Sequence, residues 1–472
     1  MSAFQANAAT RDRGNGGRMH ERRESIHGQW SSRMAFILAA TGAAVGLGNI
    51  WKFPYITGEN GGAAFVLVYL LCLLLMATPI MMTEIMLGRR SRRSPILGMQ
   101  ALAREENASR HWSLIGWMGV ASGFLILSYY AVIMGWALAY VFRAGSGMFE
   151  GMSAPAIRAH FEGFAADPEK LLLWHTVAML LTLTVVARGV RGGLEGATRW
   201  MMPLLALILV ALVGYNMGSP EAFYQALSFM FTPDFSRLTP QSVLIAMGHA
   251  FFTLSIGMGA IMAYGSYMPE RVSIARTTLI IVAADTVIAL MAGLVIFPVV
   301  FANGLEVGAG PGLIFQTLPI AFAQMPWGTM FGALFFIVVS IAAWTSAISM
   351  IEPAVAHLVE QRGFTRVRAT LLLGAIIWAI GLLSVLSFNL LADWTLFGKT
   401  FFGLLDFVTS NIMLPLGGML MALFAAWVMR ADSTRQELGL GRVSFALWRL
   451  LAAFIAPVGV LLMLLSGLGL WQ

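Results

Sequence analysis

The sequence TGAAVGLGNIWKFP occupies residues 41–54, inside an apolar segment that begins near Met34 and is long enough to enter a bilayer. It contains Gly42, Gly46 and Gly48, and each glycine costs a helix roughly 1 kcal/mol relative to alanine. We therefore expect the helix to unwind here, and bare backbone within a membrane must be buried in protein or line a wet cavity. Such a broken helix would bind a ligand. The alternative is that the glycines only allow helices to pack closely.

The composition is that of a polytopic membrane protein. Of the 472 residues, 58% are hydrophobic and only 11% are charged, whereas soluble domains carry about 25% charged residues. The single cysteine, Cys72, excludes an intrachain disulfide. Residues 1–29 are polar and Arg-rich, which predicts a cytoplasmic tail rather than a cleaved signal. The net charge of +7 lies in short loops between apolar segments, so no nucleic-acid partner is expected.

Eleven apolar segments have about the length that crosses a bilayer. They lie near residues 33–56, 62–87, 114–142, 171–188, 194–217, 241–268, 274–302, 328–357, 367–387, 399–429 and 445–470. With the N-terminus in the cytoplasm, only six of the 30 Lys and Arg residues fall outside, which leaves 24 inside. The positive-inside rule therefore predicts a multi-pass protein of the cell membrane with a cytoplasmic N-terminus and an external C-terminus.

The sixth segment resembles the first, because Ser255, Gly257 and Gly259 interrupt it midway. Interrupted helices at corresponding positions of two halves indicate an inverted-repeat transporter with its site between them. We therefore predict a tail at 1–29, helices one to five at 30–217, helices six to ten at 218–429, and a cytoplasmic loop with helix eleven at 430–472. The connection 303–327 is predicted to be external, either as a lid or as an ordinary surface loop.

Placing a charged side chain inside a membrane span costs free energy, so each such residue is a candidate for a functional role. Asp285, alone in the apolar seventh segment, is expected to bind an ion or to pair structurally. Glu84 is expected to satisfy backbone groups that a broken helix leaves free, and Glu352 to do the same. Lys52 either extends its amine towards water or forms half of a gate with Asp406.

The eighth segment contains Thr345 and Ser346, whose hydroxyls usually bond back to their own helix. Beside the Ala342 carbonyl and the carbonyls of Gly42 and Val45 they would instead form an uncharged oxygen shell for a monovalent cation. No HExxH, CxxC or P-loop lysine motif is present, which disfavours an enzyme.

Four motifs carry a family resemblance. The sequences GAAVGLGNIWKFPYITGENGGAAF, LSYYAVIMGW, HAFFTLSIGMGA and AAWTSAISM, in this order, resemble the neurotransmitter:sodium symporter family, and the resemblance covers residues 27–429. The family has the LeuT fold, a five-plus-five inverted repeat of helices with unwound helices one and six. Eleven spans are typical of the bacterial branch of this family, which includes transporters of hydrophobic amino acids. The animal members have twelve spans.

The resemblance implies two sodium sites. The first would contain the Ala44 carbonyl, Asn49, Thr253, Asp285 and the substrate carboxylate; the second would contain the carbonyls of Gly42, Val45 and Ala342 with Thr345 and Ser346. Asp285 replaces the more usual asparagine, and Ala289 stands where chloride-dependent relatives have serine. The resemblance therefore implies that two Na⁺ ions and no chloride are used.

The resemblance also implies an amino-acid substrate. Gly46 stands where monoamine carriers have aspartate, which leaves room for a substrate carboxylate near the positive end of the outer half-helix. Tyr130 would bind that carboxylate and Phe252 would cover the site. The other residues implied in the substrate site are Ala43, Ala44, Gly48, Ile126, Ile133, Thr253, Ser255, Gly257, Met258, Ala347 and Met350. This mostly apolar lining favours a hydrophobic or aromatic side chain.

Two gates follow from the same resemblance. Lys52 and Asp406 match the external pair. At the inner side Trp30, Tyr267 and Glu360 match, but His27 stands where many members have arginine, and a histidine titrates near neutrality. The motif formed by Gly193 and Pro203 resembles one that unwinds to hydrate the second sodium site.

The expected function is sodium-coupled import of an amino acid, which is hydrophobic or aromatic, by alternating access. The alternatives are a symporter for glycine, alanine or a betaine-like osmolyte, and a non-transporting sensor on the same fold. The expected partners are the amino acid and the lipid bilayer, with the chain as a monomer or a loose dimer.

Overall fold

Two of the apolar segments are broken helices in the computed structural model, which describes residues 25–305, 312–468 and 470. The first segment consists of α1a (Arg33–Ala44) and α1b (Gly48–Glu59), which are bent by 52°. The sixth consists of α6a (Pro240–Thr253) and α6b (Ala260–Ser266). The interruptions predicted from the glycines are thus confirmed.

Nine further helices in the described residues are long and apolar enough to cross a membrane. They are α2 (Ala63–Ser91), α3 (Arg110–Gly145), α4 (Pro168–Ala187), α5 (Val190–Asn216), α7 (Ile274–Ala302), α8 (Gly328–Arg362), α9 (Arg366–Leu386), α10 (Phe401–Val428) and α11 (Arg442–Gly467). Because α6a and α6b are separated by the whole stretch 254–259, the total of eleven spans stays a prediction.

Within the described residues, five shorter helices of at least eight residues connect these segments. They are Pro95–Glu105, Ala154–Ala165, Pro220–Phe231, Leu313–Phe322 and Ala431–Leu438. The helix Leu313–Phe322 belongs to the connection 303–327, of which residues 306–311 lie outside the described part of the chain. Its Phe315 is fully buried, with ring centroids 5.6 Å from Trp136 and 5.2 Å from Tyr140. The segment Leu313–Phe322 of this connection is therefore a packed helix and not an ordinary surface loop, while its action as a lid stays a prediction.

The predicted tail at 1–29 lies mostly outside the described residues, which begin at 25. Residues 29–31 are held against the bundle. Trp30 is almost completely buried, and its backbone N–H donates to the Tyr267 carbonyl at 3.0 Å. The chain directly after the predicted tail is therefore part of the folded core.

Helices α3 and α8 form the most extensive pair in the bundle, and α1 packs among α5, α6b, α7 and α8. Small residues allow this approach: a Cβ on Gly123 of α3 would lie 2.6 Å from the Met350 carbonyl oxygen of α8. Around this core, α4, α5, α9 and α11 expose large apolar side chains, as expected for helices that face lipid. The two broken helices therefore lie in the protein interior.

Candidate functional site

The break in α1 presents backbone carbonyls to α8. After Ala44 the chain turns extended at Val45 (φ −69°, ψ 106°), and the last carbonyls of a helix have no partner within it. The Ser346 hydroxyl oxygen lies 3.5 Å from the Gly42 carbonyl oxygen, 3.3 Å from that of Ala43 and 3.2 Å from that of Val45. The structure thus brings these predicted ligands of the second sodium site together.

Thr345 completes this cluster from the same turn of α8. Its hydroxyl donates to its own helix, at 3.1 Å from the Ala342 carbonyl oxygen, as such hydroxyls usually do. A Cβ on Gly42 would lie 3.2 Å from the Thr345 Cβ, so α1a and α8 touch here. All five predicted groups are neutral oxygen donors, the ligand type that hard cations prefer.

A second polar cluster links α1b, α6a and α7. The Asn49 side-chain Nδ2 lies 2.8 Å from Asp285 Oδ1 and 3.1 Å from Thr253 Oγ1. The Thr253 hydroxyl donates to Asp285 Oδ2 at 3.0 Å. All three side chains are fully buried. Three of the four predicted protein ligands of the first sodium site are therefore in mutual contact, while the Ala44 carbonyl stays a predicted ligand.

The Asn49 side chain has a second role in this arrangement. Its Oδ1 accepts from the Gly46 backbone N–H at 3.1 Å, so the amide binds the unwound segment before α1b while its Nδ2 donates to Asp285. The Nδ2 group thus donates to Asp285 Oδ1 and to the Thr253 hydroxyl oxygen, both of which belong to residues that the resemblance assigns to a cation.

The break in α6 has residues in the left-handed region of backbone conformation. Ser255 has φ +52°, Gly257 has φ +87° and Gly259 has φ +74°, and only glycine adopts such angles without cost. The Ser255 hydroxyl donates to the Ala43 carbonyl at 2.8 Å, which ties the two breaks to each other. The sequence placed Ser255 in the pocket lining but carried no signal for this bond.

Glu84 of α2 supports the second break, as predicted. This side chain is fully buried, and its Oε1 accepts from the Gly257 backbone N–H. Because a buried N–H without an acceptor costs free energy, the carboxylate replaces the helical partner that Gly257 lacks.

Replacing Glu84 with leucine is expected to destabilise the protein, because it leaves the Gly257 N–H unpaired. An unsatisfied buried donor costs about 1–3 kcal/mol. The variant Glu84→Gln keeps an acceptor oxygen and should retain most of the stability. Thermal unfolding of the purified proteins measures the difference. Equal midpoints for the leucine and glutamine variants would contradict this role.

The predicted substrate site at the break in α1 is narrow, because side chains of other helices lie close to its glycines. The Leu47 backbone N–H donates to the Tyr130 hydroxyl at 3.2 Å. A Cβ on Gly46 would lie 2.6 Å from the Ser346 Oγ and 3.0 Å from the Tyr130 hydroxyl oxygen. A Cβ on Gly48 would lie 3.1 Å from the Phe252 ring. The structure thus gathers Gly46, Tyr130 and the Leu47 N–H, and places Phe252 over Gly48.

The predicted lining of the side-chain pocket is buried throughout. These residues come from α1, α3, the break in α6 and α8: Ala43, Ile126, Ile133, Met258, Ala347 and Met350. Their contact with substrate stays a prediction.

The predicted external pair is not joined in this structure, because each charge has another partner. The Lys52 amine lies over the Phe252 ring, 4.5 Å from its centroid, an attractive cation–π geometry. Asp406 Oδ1 accepts from the Tyr129 hydroxyl at 3.2 Å and from the Ser410 hydroxyl at 3.1 Å. Closure by pairing of Lys52 with Asp406 stays a prediction.

On the predicted inner side, a buried network surrounds Glu360. His27 Nε2 lies 3.1 Å from Glu360 Oε1. Glu360 also accepts from the Ser94 backbone N–H at 2.9 Å and from the Ser94 hydroxyl at 2.6 Å. The Trp30 indole N–H donates to the Tyr264 carbonyl at 2.9 Å. The segment before α1 is thus bonded to α8 and to α6b, and the loop after α2 is bonded to the same glutamate of α8.

Three further contacts stabilise the predicted inner side. The Tyr267 hydroxyl donates to Glu352 Oε1 at 2.8 Å, and Arg366 pairs with the other Glu352 oxygen, so Glu352 binds these side chains and not the free backbone groups that were expected. Glu195 at the start of α5 accepts from the Ser31 backbone N–H at 3.0 Å. The sequence did not indicate Ser94, Arg366 or Glu195, because each finds a partner far away in the chain.

The start of α5 borders a cavity of about 250 Å³, which is lined by Ser31, Ser32, Met34, Ala35, Leu38, Glu195 and Arg199. In this structure α5 continues as a helix through Pro203 after a wide first turn at 190–195. The unwinding predicted for Gly193 and Pro203 is therefore not seen in this conformation and stays a prediction.

Replacing His27 with arginine is expected to lower the rate of transport. Arginine is always charged and can bond a carboxylate through two N–H groups, so it should hold Glu360 more tightly than the imidazole, which now lies 3.1 Å from Glu360 Oε1. A tighter contact should slow opening of the predicted inner side. Initial uptake rates into vesicles measure the effect. An unchanged rate in His27→Arg would refute it.

The fold and the site together define the class of protein to which this chain belongs. Two helices broken inside the bundle, with converging backbone carbonyls, hydroxyls and one buried carboxylate, are the arrangement of a secondary transporter that binds its ions between two repeats.

Comparisons with known proteins agree with this class. The model of the sodium:neurotransmitter symporter family matches residues 27–149 and 162–471. The sodium-dependent transporter YhdH of Bacillus subtilis (strain 168) is 39% identical over 446 residues, which cover 94% of this chain and 98% of the relative. A sodium-dependent transporter of Haemophilus influenzae is 32% identical over 449 residues, with 93% and 98% covered. The chain therefore belongs to the sodium:neurotransmitter symporter family.

A solved structure shows the same architecture. The crystal structure of MhsT in complex with L-phenylalanine is similar with a TM-score of 0.86 and 42% identity, over 93% of this chain and 99% of that one. The predicted LeuT fold is thus confirmed. The chain is a sodium-dependent membrane transporter.

Proposed function

We propose that this protein imports a hydrophobic or aromatic L-amino acid together with two Na⁺ ions, without chloride, by alternating access across the cell membrane. The observation that carries the proposal is the close approach at Gly46, where a Cβ would lie 2.6 Å from the Ser346 Oγ and 3.0 Å from the Tyr130 hydroxyl oxygen. Only a residue without Cβ allows these two hydroxyls to lie so near the start of α1b, where they can recognise a carboxylate.

The substrate carboxylate is proposed to bind at the start of α1b. The N-terminal end of a helix favours an anion through its free N–H groups and its dipole. The Tyr130 hydroxyl, now 3.2 Å from the Leu47 nitrogen, is a donor that can turn to the carboxylate. Na⁺ at the cluster of Asn49, Thr253 and Asp285 would neutralise the same carboxylate. The amino acid and the first cation are therefore expected to bind together.

The substrate side chain is proposed to lie among the buried apolar residues of α3, α6 and α8. Met258 and Met350 can adapt to ligands of different shape because their side chains are flexible and polarisable. The likeness to a transporter solved with L-phenylalanine supports an aromatic or large aliphatic substrate. A symporter for glycine, alanine or a betaine-like osmolyte is the alternative.

Chloride independence is proposed from Asp285. Its buried carboxylate already supplies a negative charge beside the first cation, and Ala289 one turn later offers no hydroxyl to an anion. A second anion at this place would be repelled.

Two Na⁺ ions would provide sufficient driving force. At a membrane potential of about 100 mV, two charges contribute roughly 4.6 kcal/mol. Since about 1.4 kcal/mol corresponds to a factor of ten, the potential alone would support about a thousandfold accumulation of a zwitterion. No ATP is needed for this work.

Alternating access is proposed from the unequal state of the two sides. The inner side is bonded through His27, Glu360 and Trp30, whereas Lys52 and Asp406 are apart on the outer side. This combination supports an outward-facing arrangement, from which closure of the external pair would precede opening of the inner network.

The test is binding of radiolabelled L-amino acids to the purified protein in sodium chloride, sodium gluconate and potassium chloride. We expect L-tryptophan, L-phenylalanine or L-leucine to bind in both sodium salts and not in potassium chloride. Binding of glycine or betaine in preference to all three would establish the alternative. Sodium-dependent binding without uptake into vesicles would indicate a sensor.

A further inference from the structure

The loop between α9 and α10 exposes an unusual amount of apolar surface. Phe397 is 87% exposed and Leu390 is 75% exposed, and Trp394 and Leu396 beside them are also exposed. Isolated exposed apolar residues are normal on a protein surface, whereas a contiguous group of this kind marks an interaction site. We call residues 390–399 the apolar hairpin.

The tip of the apolar hairpin has a defined conformation. Leu396 and Lys399 exchange two backbone hydrogen bonds, of 2.9 and 3.1 Å. Between them Phe397 has φ +52° and Gly398 has φ +72°, the two positive angles of a tight hairpin turn. A phenylalanine in this region of backbone conformation is uncommon and unfavourable. The turn therefore holds the Phe397 ring in an outward position that an open loop would not maintain.

The length of α9 places the apolar hairpin at the edge of the bilayer. This helix has 21 residues, so it is about 31 Å long, and the hydrocarbon core of a membrane is about 30 Å thick. Tight turns keep the following chain close to the helix end: the Leu391 N–H donates to the Leu386 carbonyl at 2.9 Å, and the Phe402 N–H to the Ser387 hydroxyl at 3.1 Å. The hairpin thus lies at the level of the lipid headgroups.

The apolar hairpin continues a surface that must already face lipid. Leu372, Ile376 and Leu383 of α9 are exposed and lie along one side of that helix by their spacing. Tryptophan and other amphipathic aromatic residues are typical of the membrane–water boundary at the ends of such helices. Lipid is therefore the partner whose chemistry fits this surface, and continuity with the lipid-facing side of α9 distinguishes it from an isolated protein-binding patch.

We propose that the apolar hairpin is a membrane anchor, which inserts Leu390, Trp394 and Phe397 into the boundary between headgroups and acyl chains on its side of the membrane. The anchor also holds the start of α10. Thr400 directly after it caps α10 by accepting from the Gly403 N–H at 3.3 Å, and Asp406 follows within the same helix. The bilayer thereby positions one half of the predicted external gate. This inference does not depend on the identity of the substrate.

The test uses a fluorescent label at single cysteines, with Cys72 replaced by alanine. The variants Phe397→Cys, Leu383→Cys and Glu162→Cys carry the environment-sensitive dye NBD in phosphatidylcholine vesicles. Leu383 is the lipid-facing reference, and the exposed Glu162 of the helix Ala154–Ala165 is the water-facing reference. We expect brominated acyl chains to cause a loss of emission at positions 397 and 383, with little loss at 162. A label at 397 that is quenched no more than at 162 would overturn the proposal.

A second copy of the chain is the competing partner. If it covered the hairpin, quenching by brominated lipid at 397 would fall as the protein-to-lipid ratio rises, and this result would also overturn the proposal. We expect quenching that is independent of the protein-to-lipid ratio.

A separate test asks whether the anchor positions α10. Phe397→Asp is expected to reduce the initial rate of uptake into vesicles, whereas Phe397→Leu is expected to leave it unchanged. Equal uptake by both variants would show that the anchor does not position α10.

Discussion

Replacing Asp285 with asparagine is expected to weaken sodium binding about a thousandfold. The substitution keeps the size and one acceptor oxygen of the side chain but removes a buried charge. A unit charge about 4 Å from a cation contributes roughly 4 kcal/mol at an effective dielectric constant of about 20, and about 1.4 kcal/mol is a factor of ten. Sodium titration of amino-acid binding to the purified protein measures the effect.

Asp406→Asn is the matched control for this prediction. It makes the same chemical change in a carboxylate that bonds to Tyr129 and Ser410 and not to the cluster around Asn49. We expect its sodium dependence to stay close to that of the unmodified protein. If Asp285→Asn bound sodium as tightly as Asp406→Asn, the assignment of Asp285 to a cation site would be wrong.

Replacing Gly46 with alanine is expected to remove most amino-acid binding. The new methyl group would lie 2.6 Å from the Ser346 Oγ and 3.0 Å from the Tyr130 hydroxyl oxygen, so both side chains must shift. Overpacking of this kind costs about 1–3 kcal/mol, which corresponds to roughly five- to 150-fold in affinity. Because Ser346 also belongs to the second sodium cluster, sodium affinity is expected to fall with it. Equilibrium binding at saturating and limiting sodium separates the two losses.

Gly214→Ala provides the control. Gly214 lies within the membrane helix α5 and has open space where its Cβ would be, so the substitution should leave binding and sodium dependence unchanged. Unaltered amino-acid affinity in Gly46→Ala would refute the proposed carboxylate position. Reduced affinity in both variants would show that the loss at Gly46 is a general effect of glycine replacement.

Several features of this site could be predicted from the sequence. The broken helices could be predicted from sequence, because Gly46, Gly48, Gly257 and Gly259 weaken a helix wherever the rest of the chain lies. The role of Glu84 followed in the same way, since a buried carboxylate in an apolar helix needs donors and a broken helix supplies them. The family resemblance then named the ligand residues, and the structure brings Asn49, Thr253 and Asp285 into contact.

Other features of the site depended on contacts between distant parts of the chain. Asn49 was expected to present oxygen to a cation, yet its amide oxygen accepts from Gly46 and its nitrogen faces Asp285. The resemblance matched Lys52 and Asp406 to an external pair, yet in this structure the Lys52 amine lies over Phe252 and Asp406 accepts from Tyr129. A side chain with several possible partners takes the one that the packed helices bring within hydrogen-bond distance, and no local pattern shows which one that is.

The sequence by itself determined that the chain spans a membrane, where two of its helices break, and which polar residues occur inside it. Composition, glycine position and buried charge have local energetic consequences that hold in any packing. Only the tertiary structure decided how these groups pair: Ser255 with Ala43, Ser94 with Glu360 and Glu195 with Ser31. Each of these bonds joins segments that are far apart in sequence, and its formation depends on the relative placement of whole helices.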